Sequence, residues 1–391
     1  MIIEWMLILI GHLSLCCVLF NNVHAFAIPS VKKSRKITEK LIAAAAVIPL
    51  PLLIYASHIK HTPGAGPLPT TLHAYLVLVQ ATGIYFIARW IYRKLTNRLP
   101  NNAKLLATQV IDVEEELGKS VLVSAKARLL GYVPGNQVAK ICTESWEFSF
   151  AELPTSLDGF KICHLSDLHF TGGIDQSYFN KMVEIANQSG ADMIVISGDL
   201  LDTDECLPWI EEILFSLSAP RGVFVIRGNH DLMVIDQKQY DQILETGPLQ
   251  LASNGKWNKI EIDDAVLFLA GNDLPWYRKP MLLRRRPVAR ANEFRLLLAH
   301  SPDQIGWAVR HDFDLVLAGH THGGQIRLPI VGPIIAPSRY GIKYASGTFK
   351  IRQTMMHVSR GISGDEPIRI NCLPEISVIT LKSQQVSAQR T

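Results

Sequence analysis

The sequence predicts an α/β fold preceded by an N-terminal region of transmembrane helices. Three observations predict it. Short apolar runs that read as buried β-strands recur through the second half of the chain and end abruptly in Asp, Asn or His. Segments with helical periodicity separate the first of these runs, and a strand–helix–strand order implies parallel pairing with right-handed crossovers. Hydrophobic residues make up 48% of the 391 positions, and their excess lies before residue 95, which points to membrane segments.

Three apolar spans, at about 2–20, 41–57 and 72–88, define a transmembrane region over residues 1–104. Each is near the lower limit of the roughly 17–25 residues a helix needs to cross a bilayer. Pro49 and Pro51 should kink the second, which neighbouring helices can accommodate. Ala25-Phe26-Ala27 resembles a signal-peptide cleavage site, but the leading segment carries Glu4 and no Lys or Arg. Basic residues follow the first span (Lys32, Lys33, Arg35, Lys36, Lys40) and the third (Arg89, Arg93, Lys94, Arg98, Lys104), whereas only Lys60 lies between the second and third. The positive-inside rule then gives an outside amino terminus, three crossings and a cytoplasmic C-terminal domain on a multi-pass cell-membrane protein; a cleaved first span would reverse the side. Tyr85, Trp90 and Tyr92 sit where interfacial aromatic anchors belong.

Residues 105–154 read as a connector: a surface helix over Val110 to Ala127, a turn at Tyr132 to Asn136, and an edge strand from Trp146 to Phe150. The main domain runs from 155 to 385, with a tail at 386–391. Tyr178 to Ser189 and Trp209 to Leu217 read as its first helices. Ile260 to Ala270, Gly347 to Lys350, Met355 to Ser359 and Glu375 to Leu381 are strand-rich with few helices between them, which implies a second sheet. The six cysteines form no disulfide or zinc-finger pattern and fit reduced, mostly buried thiols in a cytoplasmic domain.

The strand endings carry the chemistry. Lys161 to Ser166 leads into Asp167-Leu168-His169, Met193 to Ser197 into Gly198-Asp199, and Val223 to Arg227 into Gly228-Asn229-His230-Asp231. Arg295 to Ala299 leads into His300, and Asp314 to Ala318 into Gly319-His320-Thr321-His322. Loops beyond the carboxyl ends of strands form the ligand crevice of open α/β sheets, so these groups can converge. Carboxylates, an amide oxygen and imidazoles without thiolates suit borderline to hard divalent ions such as Mn, Fe or Zn, and the set is large enough for two. Period-two alternation would aim Asp167 and His169 to one side, and His320 and His322 likewise.

This ordered set of five motifs resembles the calcineurin-like metallophosphoesterases, over about residues 155–385. Gly319 to Gln325, His300-Ser301-Pro302-Asp303 and Val358-Ser359-Arg360-Gly361 look most like the membrane-associated bacterial branch. The resemblance implies a four-layer α/β/β/α sandwich and a dimetal phosphoesterase in which a metal-bound hydroxide attacks a phosphate ester or pyrophosphate in line. Asp167, His169 and His322 would hold one ion, Asn229, His300 and His320 the other, and Asp199 would bridge them. His230 would face the leaving group, with Asp231 orienting its ring.

Other residues have plainer readings. Asp202 and Asp204 serve as turn formers or helix caps as readily as site groups, and His164, His311 and His357 fit structural roles. The stretch from Arg278 to Arg295, with seven basic residues against Glu293, is either a cap that attracts an anionic ligand or a solvated loop beside headgroups. A catalytically silent scaffold of the same fold and a nuclease are the competing functions. A scaffold would be expected to lose part of the ligand set, which is complete here. The partners expected are the lipid bilayer and a phosphorylated small-molecule or lipid substrate; nucleic acid is disfavoured, because basic charge alone discriminates poorly.

Overall fold

The computed structural model describes residues 2–26, 69–96, 98–253, 255–273 and 292–384, with scattered positions between 38 and 59. The chain divides into two compact units, Met1–Arg98 and Leu99–Thr391.

In the first unit, α1 (Ile2–Phe26) and α2 (Thr70–Thr96) are both long and apolar enough to cross a membrane. They pack closely through small residues. A Cβ on Gly11 would lie 1.6 Å from the Val79 carbonyl oxygen, and one on Gly83 2.6 Å from that of Leu7. Such close backbone approach is how helices associate where no hydrophobic effect drives them. Two polar contacts cross the pair: His12 Nδ1 with Tyr75 Oη at 2.7 Å, and Gln80 to Glu4 at 3.0 Å. The span expected at 41–57 falls largely outside the described residues.

The second unit contains two large sheets. The first comprises β1 (Ala103–Asp112), β2 (Lys140–Phe150), β3 (Lys161–Leu165), β4 (Met193–Ile196), β5 (Val223–Val225) and β6 (Leu249–Leu251). The other holds β7 (Asn258–Ile262), β8 (Ala265–Asn272), β9 (Glu293–Ala299) and β10 (Leu315–Ala318), then β13 (Gly347–Ile351) and β14 (Thr354–Val358). A small hairpin, β11 (Arg327–Leu328) and β12 (Gly332–Pro333), lies between the last two pairs in sequence. The final strand, β15 (Glu375–Ser383), returns to the first sheet, whose order is β1-β2-β15-β3-β4-β5-β6; the other sheet runs β13-β14-β10-β9-β8-β7. From β3 to β6 every neighbour is parallel, as the strand–helix alternation required.

Strand periodicity builds the layers. Met193 and Val195 of β4, Leu296 and Leu298 of β9, and Leu315 and Leu317 of β10 meet in one core between the sheets. Their alternates, Ile194 and Ile196, face a second core with Tyr178, Phe179 and Met182 of α5 (Gln176–Gln188). Leu297 and Val316 face a third with Ile305 and Ala308 of α8 (Ile305–Arg310). Strands buried on both faces lack alternation in sequence, which is why these runs read as continuous apolar stretches. The result is the four-layer α/β/β/α sandwich. Four short helices, α3 (Val113–Leu117), α4 (Ala125–Gly131), α6 (Asp231–Val234) and α7 (Gln237–Glu245), flank the strands.

The expected connector takes a different form. Residues 103–112 and 140–150 are full members of the first sheet, and β2 is internal, between β1 and β15, rather than an edge. Val110 to Ala127 is not one helix: β1 runs to Asp112, which caps α3, and α4 starts only after Ser124. The charged run Glu114 to Glu116, which suggested one long helix, belongs to the single short turn of α3 that follows β1.

Candidate metal centre

The proposed ligands all follow the carboxyl ends of β3, β4, β5, β9 and β10, on one rim of the two sheets. Their backbone conformation departs from the expected alternation. Asp167, His169, Asp199, His320 and His322 all have positive φ, between 47° and 70°. Each is therefore turned by a left-handed kink after its strand has ended, a conformation that costs a non-glycine residue energy and concentrates at functional sites. Close packing adds to the constraint. A Cβ on Gly319 would stand 1.7 Å from Ser166 Oγ and 2.3 Å from Asp167 Oδ2, so only glycine fits between these loops.

Three groups of three side chains have ligand atoms within 4.8 Å of one another: Asp167, His169 and His322; Asp199, His300 and His320; and His169, Asp202 and His230. Asn229 Oδ1 joins the second group, 3.1 Å from His300 Nε2. Asp199 stands between the first two groups, its Oδ2 lying 3.6 Å from His169 Nε2 and 3.2 Å from His300 Nε2. Ring orientations are fixed from behind. His300 Nδ1 faces the Ser197 carbonyl at 2.7 Å and His322 Nδ1 that of Ser363 at 3.2 Å, so both rings donate there and turn Nε2 inward. Asp167 accepts from the His320 amide at 2.9 Å and from Ser166 Oγ at 2.5 Å.

This donor set fits divalent cations. His169 Nε2 and Asp199 Oδ2 are buried yet make no well-directed hydrogen bond within the protein, an arrangement costly for polar groups with nothing to bind. The field has the matching sign: against the lowering effect of burial, Asp202, Asp199 and Asp167 push the His169 ring up to about 10, and Asp199 and Asp167 push His300 up to about 9. Neutral imidazoles become available as ligands when a cation supplies that positive charge instead.

Sequence reasoning misassigned one carboxylate. Asp231 does not orient His230. It accepts backbone N–H groups from Gly228 at 2.7 Å, Leu200 at 2.8 Å, Leu201 at 3.0 Å and Asp199 at 3.2 Å, tying the β4 and β5 loops together. Its position at the first turn of α6 turns it inward, toward those amides, and away from the neighbouring ring. Asp202 does the work instead: Oδ2 bonds His169 Nδ1 at 2.7 Å and Oδ1 bonds His230 Nδ1. Burial opposes its ionisation, but the two rings hold it below the usual carboxylate range. The available signal was its place three residues after Asp199 in the same loop. Asp204, by contrast, starts an exposed 3-10 turn. His230 keeps 16% of its side-chain surface exposed, while His169 and His300 keep none.

Arg369 was also missed. Fully buried, it donates to the carbonyls of Arg360 at 2.6 Å and His322 at 3.2 Å, and to that of Ser363. His164, His311 and His357 are structural: His357 alone bonds Thr348, Glu375 and Ser377. Most of the basic stretch falls outside the described residues. Arg295, counted with it, is a buried β9 residue paired to Glu293 at 3.1 Å.

The family model for the calcineurin-like phosphoesterase domain matches residues 160–324, which hold every residue proposed for the site. An uncharacterized metallophosphoesterase of Bacillus subtilis, YkuE, is 33% identical over 59% of this chain and 82% of its own length. The chain belongs to the calcineurin-like metallophosphoesterases. As a metallophosphoesterase it is a metal-dependent hydrolase of phosphoric esters, associated with membranes. The phosphodiesterase YaeI of Escherichia coli is 29% identical over 57% of this metallophosphoesterase and 82% of that protein. A Danio rerio transmembrane protein with a metallophosphoesterase domain is 28% identical over 67% of the chain, matching 62% of its own length.

Proposed function

We propose that this protein is a membrane-anchored, multi-pass dimetal phosphoesterase with its catalytic domain on the cytoplasmic side, acting on a lipid-linked phosphate. Asp167, His169 and His322 would hold one ion and Asn229, His300 and His320 the other, with Asp199 shared between the two groups. Bound there, two divalent ions supply Lewis-acid activation of a water and of the phosphoryl oxygens. The side chains do the rest. Asp202 fixes His169 and His230 in the tautomer with the proton on Nδ1 or shared with the carboxylate. His230, partly exposed, is then the ring placed to give a proton to the leaving oxygen, with Asp202 holding it by Nδ1. Asp231 and Arg369 hold the loops in register and touch no substrate.

The observation that carries this reading is the pair of ligand groups meeting at Asp199, with His230 tied through Asp202 to one of them. A diester is the first substrate to test, because the Escherichia coli relative is named a phosphodiesterase. In the full chain in detergent, hydrolysis of bis(p-nitrophenyl) phosphate with Mn²⁺ should be abolished by chelator and by Asp199→Ala, and elemental analysis should find both ions reduced in the variant. Parental turnover and metal content in Asp199→Ala would overturn the assignment. Lipid-linked and soluble phosphates compared in the same assay test the substrate class.

A further inference from the structure

Beside the metal centre stands an apolar element that water does not explain. The β11–β12 hairpin and its flanks expose Ile326, Leu328, Ile330, Val331, Ile334 and Ile335. At the tip, the Val331 amide bonds back to the Pro329 carbonyl at 2.7 Å, leaving Ile330 with φ of 67° and 82% exposed. A β-branched residue at positive φ is a genuine outlier, and glycine or asparagine would suit a solvated turn on both counts. The base of the hairpin is firmly held. Arg327 bonds Ile370 and Gly323, and Asn371 bonds the Arg327 carbonyl, while Gly324, two residues past His322, packs so closely that a Cβ would lie 2.5 Å from Pro333 Cβ.

Charge identifies the surface it meets. From Leu315 to Gly364 the chain has no Asp or Glu, and Arg339 and Lys343, both exposed, follow the hairpin. Apolar side chains followed by exposed cations are what an anionic bilayer surface binds, the former entering the acyl boundary and the latter meeting headgroups. The same chain carries two helices apolar enough to cross a membrane, so a bilayer is within its reach.

We propose that the hairpin at residues 326–335 dips into an anionic lipid surface and so presents the metal centre's rim to phosphate groups held in the bilayer. This rests on the membrane attachment proposed above and names how a lipid-borne substrate meets the site. The second arm, β12, packs against the ligand loop at Gly324.

The test uses the full chain in nanodiscs of phosphatidylcholine containing phosphatidylglycerol, with an environment-sensitive fluorophore on Ile330→Cys and the parental chain as labelling background. Lipids carrying doxyl groups on their acyl chains should quench this label several-fold more than one on Glu184→Cys, and more so with phosphatidylglycerol than without. A label on Ile334→Cys carries the same reading where the turn does not tolerate change. No preferential quenching at either position overturns the proposal. A label that shifts to the blue without being quenched points to a second copy or another protein covering the hairpin and overturns it as well. Quenching reads insertion whether or not the site hydrolyses anything, so its failure leaves the phosphoesterase reading intact, and failure of the Asp199→Ala test leaves this one.

Discussion

Replacing Asp202 with Asn should damage metal binding and turnover together, because one carboxylate serves two rings. In the native site each oxygen accepts from a separate Nδ1, that of His169 at 2.7 Å and that of His230. An amide of the same shape has one accepting atom and one donating atom. At most one ring can therefore keep its proton on Nδ1; the other must either turn or move its proton to Nε2. On His169 that nitrogen faces Asp199 and Asp167, 3.6 and 4.0 Å away, and a proton there removes a ligand. Loss of such an outer partner typically costs 10–100-fold in metal affinity, about 1.4–2.7 kcal/mol. On His230 the loss is of proton transfer, of order 10²–10⁴ in kcat. Calorimetric titration of the apo chain with Mn²⁺ separates these from steady-state hydrolysis of a diester: we expect weaker binding, and a kcat that stays depressed when metal is saturating. Parental affinity together with parental kcat in Asp202→Asn would show that the carboxylate positions neither ring.

Three further outcomes follow from the geometry. His230→Gln should retain its metal content by elemental analysis while kcat falls about 10²–10⁴-fold, since this ring belongs to the third group, with Asp202 and His169, and to neither of the two proposed to hold the ions; loss of metal would place it among the ligands instead. Gly319→Ala drives a methyl into Ser166 and Asp167 and should cost at least the roughly 1–3 kcal/mol of overpacking, read as a lowered Tm and reduced metal binding; a parental Tm would contradict the packing. Burial, and then the nearby His357, lower His164 to about 3. Folded protein thus keeps that ring neutral while unfolded protein protonates it below about 6.5, so stability present above pH 6.5 is lost as pH falls toward 3, with a slope of up to about 1.4 kcal/mol per pH unit from this group. Denaturation of His164→Gln between pH 7 and 5 should show a shallower acid loss than the parent.

What could be read from residue order was the identity of the groups at the strand ends, because apolar runs fully buried on both faces stop at a chemically distinct boundary. The second sheet was legible for the same reason. Side-chain direction was not: alternation would have aimed Asp167 and His169 together by extending β3, but the chain kinks left-handed at both, and only the crowding of Gly319 against Asp167 reveals why. Partner choice was equally hidden. Asp231 adjoins His230 in sequence and bonds amides, whereas Asp202, 28 positions earlier, reaches the ring, since helix α6 points one away and the β4 loop brings the other near. β1 was lost because most of its residues are exposed, so it shows no buried-face alternation, and because the charged turn of α3 follows it directly.

The place of β15 has a consequence for how the domain comes into being. It lies parallel to β2 on one side and antiparallel to β3 on the other, so β1 and β2 share no ladder with β3, β4, β5 and β6 except through it. Every other strand is synthesised first. Until residues 375–383 emerge, the nascent chain holds two half-sheets with open edges, one of them next to the loop of Asp167, and such edges invite aggregation or chaperone capture. Assembly of the rim is thereby deferred until this strand has been made, and a deletion that removes it would split the sheet rather than trim it.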